Sequence, residues 1–123
     1  MENIREALLF GKIRQSSKSL DSGIIVSGAM MKPNFEWDTE KAESNIRKHG
    51  VSFDEAASVF DDPLFITLLD EEHSSGEERY ITIGLSNMNR LLLVAHTERN
   101  DRIRVISARK ATKNEEKFHQ EAG

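Results

Sequence analysis

One stretch near the C-terminus decides both the fold and the candidate chemistry of this chain. Residues 91–110 read LLLVAHTERNDRIRVISARK. Two runs rich in strand-forming residues flank Asn100-Asp101, a pair that suits a tight turn. A two-residue turn there would place Arg99 opposite Arg102. The sequence therefore predicts an antiparallel hairpin with its tip at residues 100–101.

Strand alternation sorts the side chains of this hairpin onto two faces. In the predicted register one face carries four polar side chains, namely His96, Glu98, Ser107 and Arg109. A carboxylate or an imidazole can transfer a proton, and an arginine can clamp a phosphate and stabilise charge in a transition state. This face is therefore a candidate site for phosphodiester chemistry.

The opposite face of the predicted hairpin carries Arg99, Arg102 and Arg104 near the turn. Like charges this close disfavour folding unless an anion or carboxylates offset them. The pattern thus points to a polyanion or an acidic partner. A plainer interpretation stays open, in which the charged tip is only a solvated end, His96 is a hydrogen-bonded sheet histidine and Glu98 only neutralises arginines.

The remaining pattern predicts an α+β fold. Asp38 or Thr39 can cap a helix that ends at Gly50, and Ser52 can cap a second helix that ends before Pro63. Short gaps between the later strands favour antiparallel neighbours. The predicted order is β-α-α-β-β-β-β-α, a mostly antiparallel sheet of about five strands with two helices on one face. The predicted ranges are strand 35–38, helices 39–49 and 52–60, strands 64–69, 79–85, 90–98 and 102–108, and helix 113–120.

Composition excludes several kinds of site. The 123-residue chain has no cysteine, so disulfides, thiolate metal sites and a cysteine nucleophile are excluded. The four histidines are scattered, and we predict no metal and no other cofactor. The apolar runs are far shorter than the about 20 residues that span a bilayer, and none resembles a signal segment, so we expect no membrane association and a cytoplasmic location.

The charge distribution is uneven along the chain. The net charge is −4, but residues 78–123 carry nine basic and six acidic side chains. A polyanion can therefore bind locally to this region of an acidic protein.

Residues 1–30 differ in character from the rest of the chain. Residues 2–14 have rough helical spacing of apolar side chains, and the Ser- and Gly-rich stretch after them is typical of a linker. We interpret residues 1–30 as an N-terminal extension or leader and residues 31–123 as the functional domain. Met30-Met31 offers an alternative start of translation; otherwise the extension packs on the domain or on a partner.

Several motifs, in order, resemble those of BrnT-type toxins. They are FEWD (35–38), KHGVSF (48–53), DP (62–63), HTER (96–99) and ISARKAT (106–112). The similarity covers about residues 33–118, and the ordered set is far more specific than any single motif. Residues 1–30 lie outside it.

The resemblance implies a RelE-like fold and the toxin of a type II toxin–antitoxin pair. Such toxins are small endoribonucleases that cleave RNA without a metal and inhibit translation and growth. The implied partner is a BrnA-like antitoxin with a ribbon-helix-helix domain, and operator DNA is contacted only through the toxin–antitoxin complex.

The resemblance and the hairpin pattern together suggest roles for individual residues. In a metal-free ribonuclease the 2′-hydroxyl of the RNA attacks the adjacent phosphate. We expect Glu98 to be the base or to orient it, His96 to be a possible acid, and Arg109 to stabilise the transition state. The residues expected to hold phosphates are all basic and are Arg99, Arg104 and Lys110, with Arg79 and Lys48 as secondary candidates.

Two alternatives keep the same sheet but remove the catalysis. One is a non-catalytic module that binds RNA through the arginines. The other is an interaction domain whose basic hairpin receives an acidic partner.

Overall fold

Five strands and three α-helices make up residues 33–122, the part of the chain that a computed structural model describes. The extension predicted for residues 1–30, with its helix and linker, lies outside the described residues. The predicted order of helices and strands is confirmed. The elements are β1 (Asn34–Glu36), α1 (Thr39–His49), α2 (Phe53–Ser58), a 3₁₀ turn (Val59–Asp61), β2 (Ile66–Leu69), a second 3₁₀ turn (Glu71–His73), β3 (Tyr80–Leu85), β4 (Leu91–Arg99), β5 (Arg102–Lys110) and α3 (Lys113–Ala122).

The strands form one sheet in the order β1-β5-β4-β3-β2. β1 runs parallel to β5, and the other three neighbouring pairs are antiparallel. The predicted mostly antiparallel sheet of five strands is therefore confirmed. β1 pairs with residues 102–104 of β5, so β5 is not an edge strand at the tip of the β4–β5 hairpin.

Local capping defines α1. The Asp38 carboxylate accepts hydrogen bonds from the backbone N–H groups of Glu40 and Lys41. At the other end Gly50 has a φ of 70°, and its N–H donates to the carbonyl of Ile46. This left-handed conformation favours glycine, so the helix ends where the sequence predicts.

A buried carboxylate joins α2 to the β3–β4 turn. The Ser52 hydroxyl accepts from the backbone N–H of Glu55, as predicted for a cap. The Glu55 carboxylate does not bond back to the cap residue; it accepts hydrogen bonds from Ser86 Oγ at 2.6 Å and Arg90 Nε at 3.0 Å. The bond from Arg90 lowers the pKa of Glu55. Arg90 also donates to the carbonyl of Gly50, so one guanidinium connects three segments.

The helices cover both sides of the sheet. α1 and α2 pack on one side, which we call the α1/α2 face. α3 covers the other side, the α3 face, where Phe118 contacts apolar side chains of β2, β3 and β4. The buried core of the α1/α2 face comprises Val51, Phe53, Ala56, Val59, Leu92, Val94, Val105 and Ala108.

Asn45 attaches α1 to the sheet. Its buried side-chain amide donates to the carbonyls of Val51 and Ala108, and its oxygen accepts from the N–H of Ala108. β1 covers only residues 102–104 of β5, so these bonds satisfy backbone groups further along that strand.

Candidate functional site: an arginine-rich sheet face

The hairpin tip has the predicted geometry. Asn100 and Asp101 both have positive φ, 49° and 66°, which is typical of a two-residue hairpin turn. Arg99 pairs with Arg102, and the predicted register continues for four pairs along the strands.

A β-bulge then changes the register. His96 pairs with Val105 as predicted, but the next pair is Ala95 with Ser107. Ile106 is therefore an extra residue in β5. Every side chain of β5 beyond Ile106 lies on the face opposite to the one that uniform alternation predicts.

The prediction that His96, Glu98, Ser107 and Arg109 share one face is wrong for this reason. His96 and Glu98 lie on the α1/α2 face, whereas the bulge turns Ser107 and Arg109 to the α3 face. The expected pocket that would combine a carboxylate, an imidazole and this arginine is not formed.

His96 is sealed in the interior and is only 1% exposed. Its Nε2 atom lies 2.7 Å from the Thr82 hydroxyl, and its ring stacks on Tyr80 and meets the edge of Phe60. Burial lowers the pKa of His96 to about 3. A neutral side chain without access to solvent suits the plainer interpretation, a hydrogen-bonded sheet histidine, and argues against the predicted role as an acid.

Arg109 holds the start of α3. Its Nη1 and Nη2 atoms each donate at 2.9 Å to the Glu115 carboxylate. Thr112 and Glu115 form a reciprocal capping box, since each backbone N–H bonds the side chain of the other. Burial alone would raise the pKa of Glu115, but the bonds from Arg109 and Thr112 lower it. The Arg109 guanidinium therefore stabilises the junction of β5 and α3.

Three other predicted residues lie away from the arginines of the tip. Glu98 is exposed on the α1/α2 face and has no hydrogen-bond partner among residues 33–122. Lys110 lies eight residues along β5 from Arg102, about 26 Å at ~3.3 Å per residue. Lys48 is in the last turn of α1, which packs beside that distal part of β5.

The structure does bring Arg79, Arg99 and Arg104 together on the α3 face. Thr97 pairs with Arg104. Arg79 directly precedes β3, and extending the register one position beyond the pair of Tyr80 with His96 places Arg79 beside Thr97. Directly paired residues share a face, so these side chains form a row across the sheet. A second row nearer the tip joins Arg99 with Arg102. We call Arg79, Arg99, Arg102 and Arg104 the arginine face.

Two carboxylates partly neutralise the arginine face. Glu77 accepts from Arg99 at 2.7 and 3.0 Å, and this bond lowers the pKa of Glu77. Glu36 lies 3.2 Å from Arg104 and 3.7 Å from Arg102. The carboxylates expected to offset these arginines are therefore present. Two carboxylates against four guanidinium groups leave the arginine face with a net positive charge.

Two polar atoms within this surface are buried and have no hydrogen-bond partner among residues 33–122. They are Arg79 Nε and Thr97 Oγ1. Sequence reasoning missed Thr97, Glu36 and Glu77 as members of the site. Glu36 and Arg104 are 68 positions apart in the chain, so no local pattern could have revealed that pair.

A cleft on the α1/α2 face is a weaker candidate for binding a polyanion. Its volume is about 310 Å³, and Phe35 and Phe60 contribute to its walls. Asp54 and Asp61 also line it, so its charge has the wrong sign for phosphate groups.

Within residues 33–122, no group of three or more histidine, aspartate or glutamate side chains could hold a metal ion. No helix in the same range is long and apolar enough to cross a membrane.

Comparisons with known proteins identify the family. A model of "Ribonuclease toxin, BrnT, of type II toxin-antitoxin system" matches residues 37–115. The 1.1 Å crystal structure of the Brucella abortus ribonuclease toxin BrnT is similar at 23% identity with a TM-score of 0.49, covering 66% of this chain and 99% of that chain. A search of curated proteins gave no significant match. Because the family match spans well over half of the sequence, the chain belongs to the BrnT family of ribonuclease toxins of type II toxin–antitoxin systems.

Proposed function

We propose that this chain is a metal-independent endoribonuclease that binds RNA on the arginine face. The observation that supports this most is the placement of three arginines of the hairpin tip, with Arg79 beside them, on one face that holds the two carboxylates Glu36 and Glu77. Guanidinium groups bind phosphates through paired N–H donors, and their fixed charge stabilises a developing oxyanion. A phosphate of the RNA backbone would take the place of Glu77 beside Arg99, while Glu36 stays beside Arg102 and Arg104.

The proposed reaction is internal transesterification. The 2′-oxygen attacks the adjacent phosphorus while its proton passes to a base, and the bond from phosphorus to the 5′-oxygen breaks. The leaving oxygen takes a proton from water. The products are a 2′,3′-cyclic phosphate and a 5′-hydroxyl end. The arginines hold the phosphate in line and neutralise the additional charge of the phosphorane.

The proton acceptor in this proposal is Glu36 rather than Glu98. Glu36 lies on the arginine face between Arg102 and Arg104, whereas Glu98 points to the opposite side of the hairpin. Glu77 is a poorer candidate because the bond from Arg99 lowers its pKa and so weakens it as a base.

Membership of a type II toxin family implies an antitoxin partner. We propose that this partner is a BrnA-like ribbon-helix-helix protein, that the pair contacts operator DNA through the antitoxin, and that the free toxin inhibits translation in the cytoplasm. The proposal predicts growth arrest when the chain is expressed alone and relief when the antitoxin is present.

Cleavage of a defined RNA by the purified chain tests the proposal. We expect cleavage that persists in EDTA and leaves 2′,3′-cyclic phosphate ends. Arg104→Gln and Glu36→Gln should each lower the rate at least about tenfold, since one transition-state contact to a charged group contributes about 1.5–3 kcal/mol. Arg47→Gln, on the exposed side of α1, is the matched control and should leave the rate unchanged.

Two results would overturn parts of this proposal. If Glu98→Gln abolishes cleavage and Glu36→Gln does not, the proton acceptor is Glu98. If the wild-type chain binds RNA through the arginine face and yet cuts no RNA, the non-catalytic binding module is the correct alternative.

A further inference from the structure

We infer that Arg79 and Thr97 form a dedicated phosphate-binding subsite at the floor of the arginine face. The inference rests on the proposed function in taking the phosphate from RNA. It adds a site of different character from the outer arginines, because it is built from buried atoms rather than from exposed ion pairs.

The first argument is the burial of unpartnered polar atoms. Thr97 is 5% exposed, and both its Oγ1 and the Nε of Arg79 lack a hydrogen-bond partner among residues 33–122. Buried polar atoms in folded proteins nearly always have a partner, so two such atoms on one surface suit a ligand that supplies hydrogen-bond acceptors. Arg79 directly precedes Tyr80, the first residue of β3, and Thr97 directly follows His96, the partner of Tyr80, so the two residues lie beside each other when the register is extended by one position.

The second argument is the chemistry of the pair. Arg79 Nε can only donate a hydrogen bond, and the Thr97 hydroxyl can donate one as well. A ligand that satisfies both must therefore present two acceptors. Adjacent strands lie about 4.7–4.9 Å apart, so side-chain donors on the same face of neighbouring chain segments can reach two oxygens of one phosphate.

The third argument is a contrast with the neighbouring arginines. Arg99 and Arg104 each have a carboxylate partner, whereas the Arg79 guanidinium forms no ion pair with any residue of the described range. Its positive charge is therefore available to an anion from outside the chain. Arginine side chains change rotamer without moving the backbone, so a phosphate can enter between Arg79 and Arg104.

Nuclear magnetic resonance of the ¹⁵N-labelled chain tests the subsite without any cleavage reaction. Arginine Nε–H groups give their own signals, so inorganic phosphate can be titrated while the Arg79 signal is followed, with ionic strength held constant by sodium chloride. We expect a saturable shift at Arg79. Acetate, the matched carboxylate probe, should bind at least about fivefold more weakly.

Two variants sharpen the test. Thr97→Val removes only the hydroxyl, and we expect the phosphate dissociation constant to rise about tenfold. Arg79→Lys keeps the charge but removes the Nε donor, and the Thr97 amide signal should then shift much less. Arg47→Lys makes the same exchange outside the arginine face and should leave phosphate binding unchanged.

Backbone amide spectra show whether each variant is folded. If a variant is not folded, the titration of the wild-type chain decides.

A saturable shift confined to Arg99 and Arg102, equal affinity in Thr97→Val, or equal binding of acetate would each overturn the subsite. An uncleavable 2′-deoxy oligonucleotide distinguishes a backbone phosphate from the free ion, since it should shift the same Arg79 signal. Phosphate binding without RNA cleavage would contradict the proposed ribonuclease and leave the subsite in place. RNA cleavage without a shift of the Arg79 signal would contradict the subsite and leave the proposed ribonuclease in place.

Discussion

His96 makes the stability of the protein sensitive to acid. Its pKa in the folded state is about 3 because of burial, whereas an unfolded histidine titrates near 6.5. Between these values the unfolded chain binds a proton that the folded chain excludes, so stability is full above pH 6.5 and falls as the pH drops toward 3. We expect the free energy of unfolding to decrease by about 2 kcal/mol between pH 7 and pH 5.

Urea denaturation at pH 7, 6 and 5 measures this effect. His96→Gln removes the titrating group and should flatten the dependence over this range, whatever its effect at pH 7. His49→Gln, at the exposed end of α1, should keep the wild-type slope. Equal slopes in wild type and His96→Gln would show that another group controls the response to acid.

Gly84 allows β3 to approach the 3₁₀ turn closely. A Cβ atom at this position would lie 2.8 Å from Val59 Cγ1 and 3.0 Å from Phe65 Cβ, closer than packed carbons can be. We expect Gly84→Ala to lower the free energy of unfolding by about 1–3 kcal/mol through overpacking.

Thermal and urea unfolding measure the effect of Gly84→Ala. Met88→Ala, on the exposed turn after β3, is the control and should change stability by less than about 0.5 kcal/mol. Wild-type stability in Gly84→Ala would mean that the turn moves away at little cost.

At the level of the elements, Arg109 links the end of β5 to the first turn of α3. Its guanidinium binds both oxygens of Glu115, a residue that is only 6% exposed. Arg109→Met would leave a buried carboxylate unpaired, and we expect the free energy of unfolding to fall by about 2–3 kcal/mol. The loss is smaller than for a fully buried ion pair because solvent reaches the arginine and screens its charge. Urea denaturation and hydrogen exchange of the α3 amides measure this loss.

The double variant Arg109→Met, Glu115→Met should recover much of that stability, because it removes both charges. A purely catalytic arginine would behave differently: Arg109→Met would lose RNA cleavage and keep wild-type stability. That outcome would restore the role first predicted for this residue.

The elements whose signals are local could be predicted from the sequence. The caps Asp38 and Ser52, the left-handed Gly50 and the Asn100-Asp101 turn act over a few residues, and each was predicted where it occurs. β2 is shorter than predicted, Ile66–Leu69 instead of 64–69, and the helix that begins at Phe53 changes to 3₁₀ geometry after Ser58. Such differences are typical of the ends of elements.

The composition of the site could be predicted only in part, because it depends on pairing between distant strands. The three arginines near the turn were expected on one face, and they lie there. The bulge at Ile106 was not expected, since apolar residues continue through it without any glycine or proline to mark it. One additional residue was enough to separate Arg109 from Glu98.

At the scale of the whole molecule, a chain of net charge −4 is proposed to bind an anionic polymer. Binding should therefore depend on a small number of local contacts. The salt dependence of the binding constant measures how many phosphates these contacts neutralise. For four phosphate contacts with single-stranded RNA, the slope of log K against log salt concentration should be roughly −3.

Fluorescence anisotropy with an uncleavable 2′-deoxy oligonucleotide, measured from low to moderate salt, gives this slope. Arg102→Gln should reduce its magnitude by about 0.7, the counterion release of one contact. Arg47→Gln should not change it. A slope near zero would show that the arginine face does not bind the backbone of the nucleic acid.

The bulge also has a consequence for how the length of the β4–β5 hairpin can vary among relatives. Val105 and Ala108, on either side of the bulge at Ile106, both belong to the core, so only residues between Val105 and the turn can be inserted without disturbing them. One added residue on each strand would preserve pairing but present the tip side chains to the other face. We therefore expect homologous hairpins that keep this basic surface to differ in length by multiples of four residues.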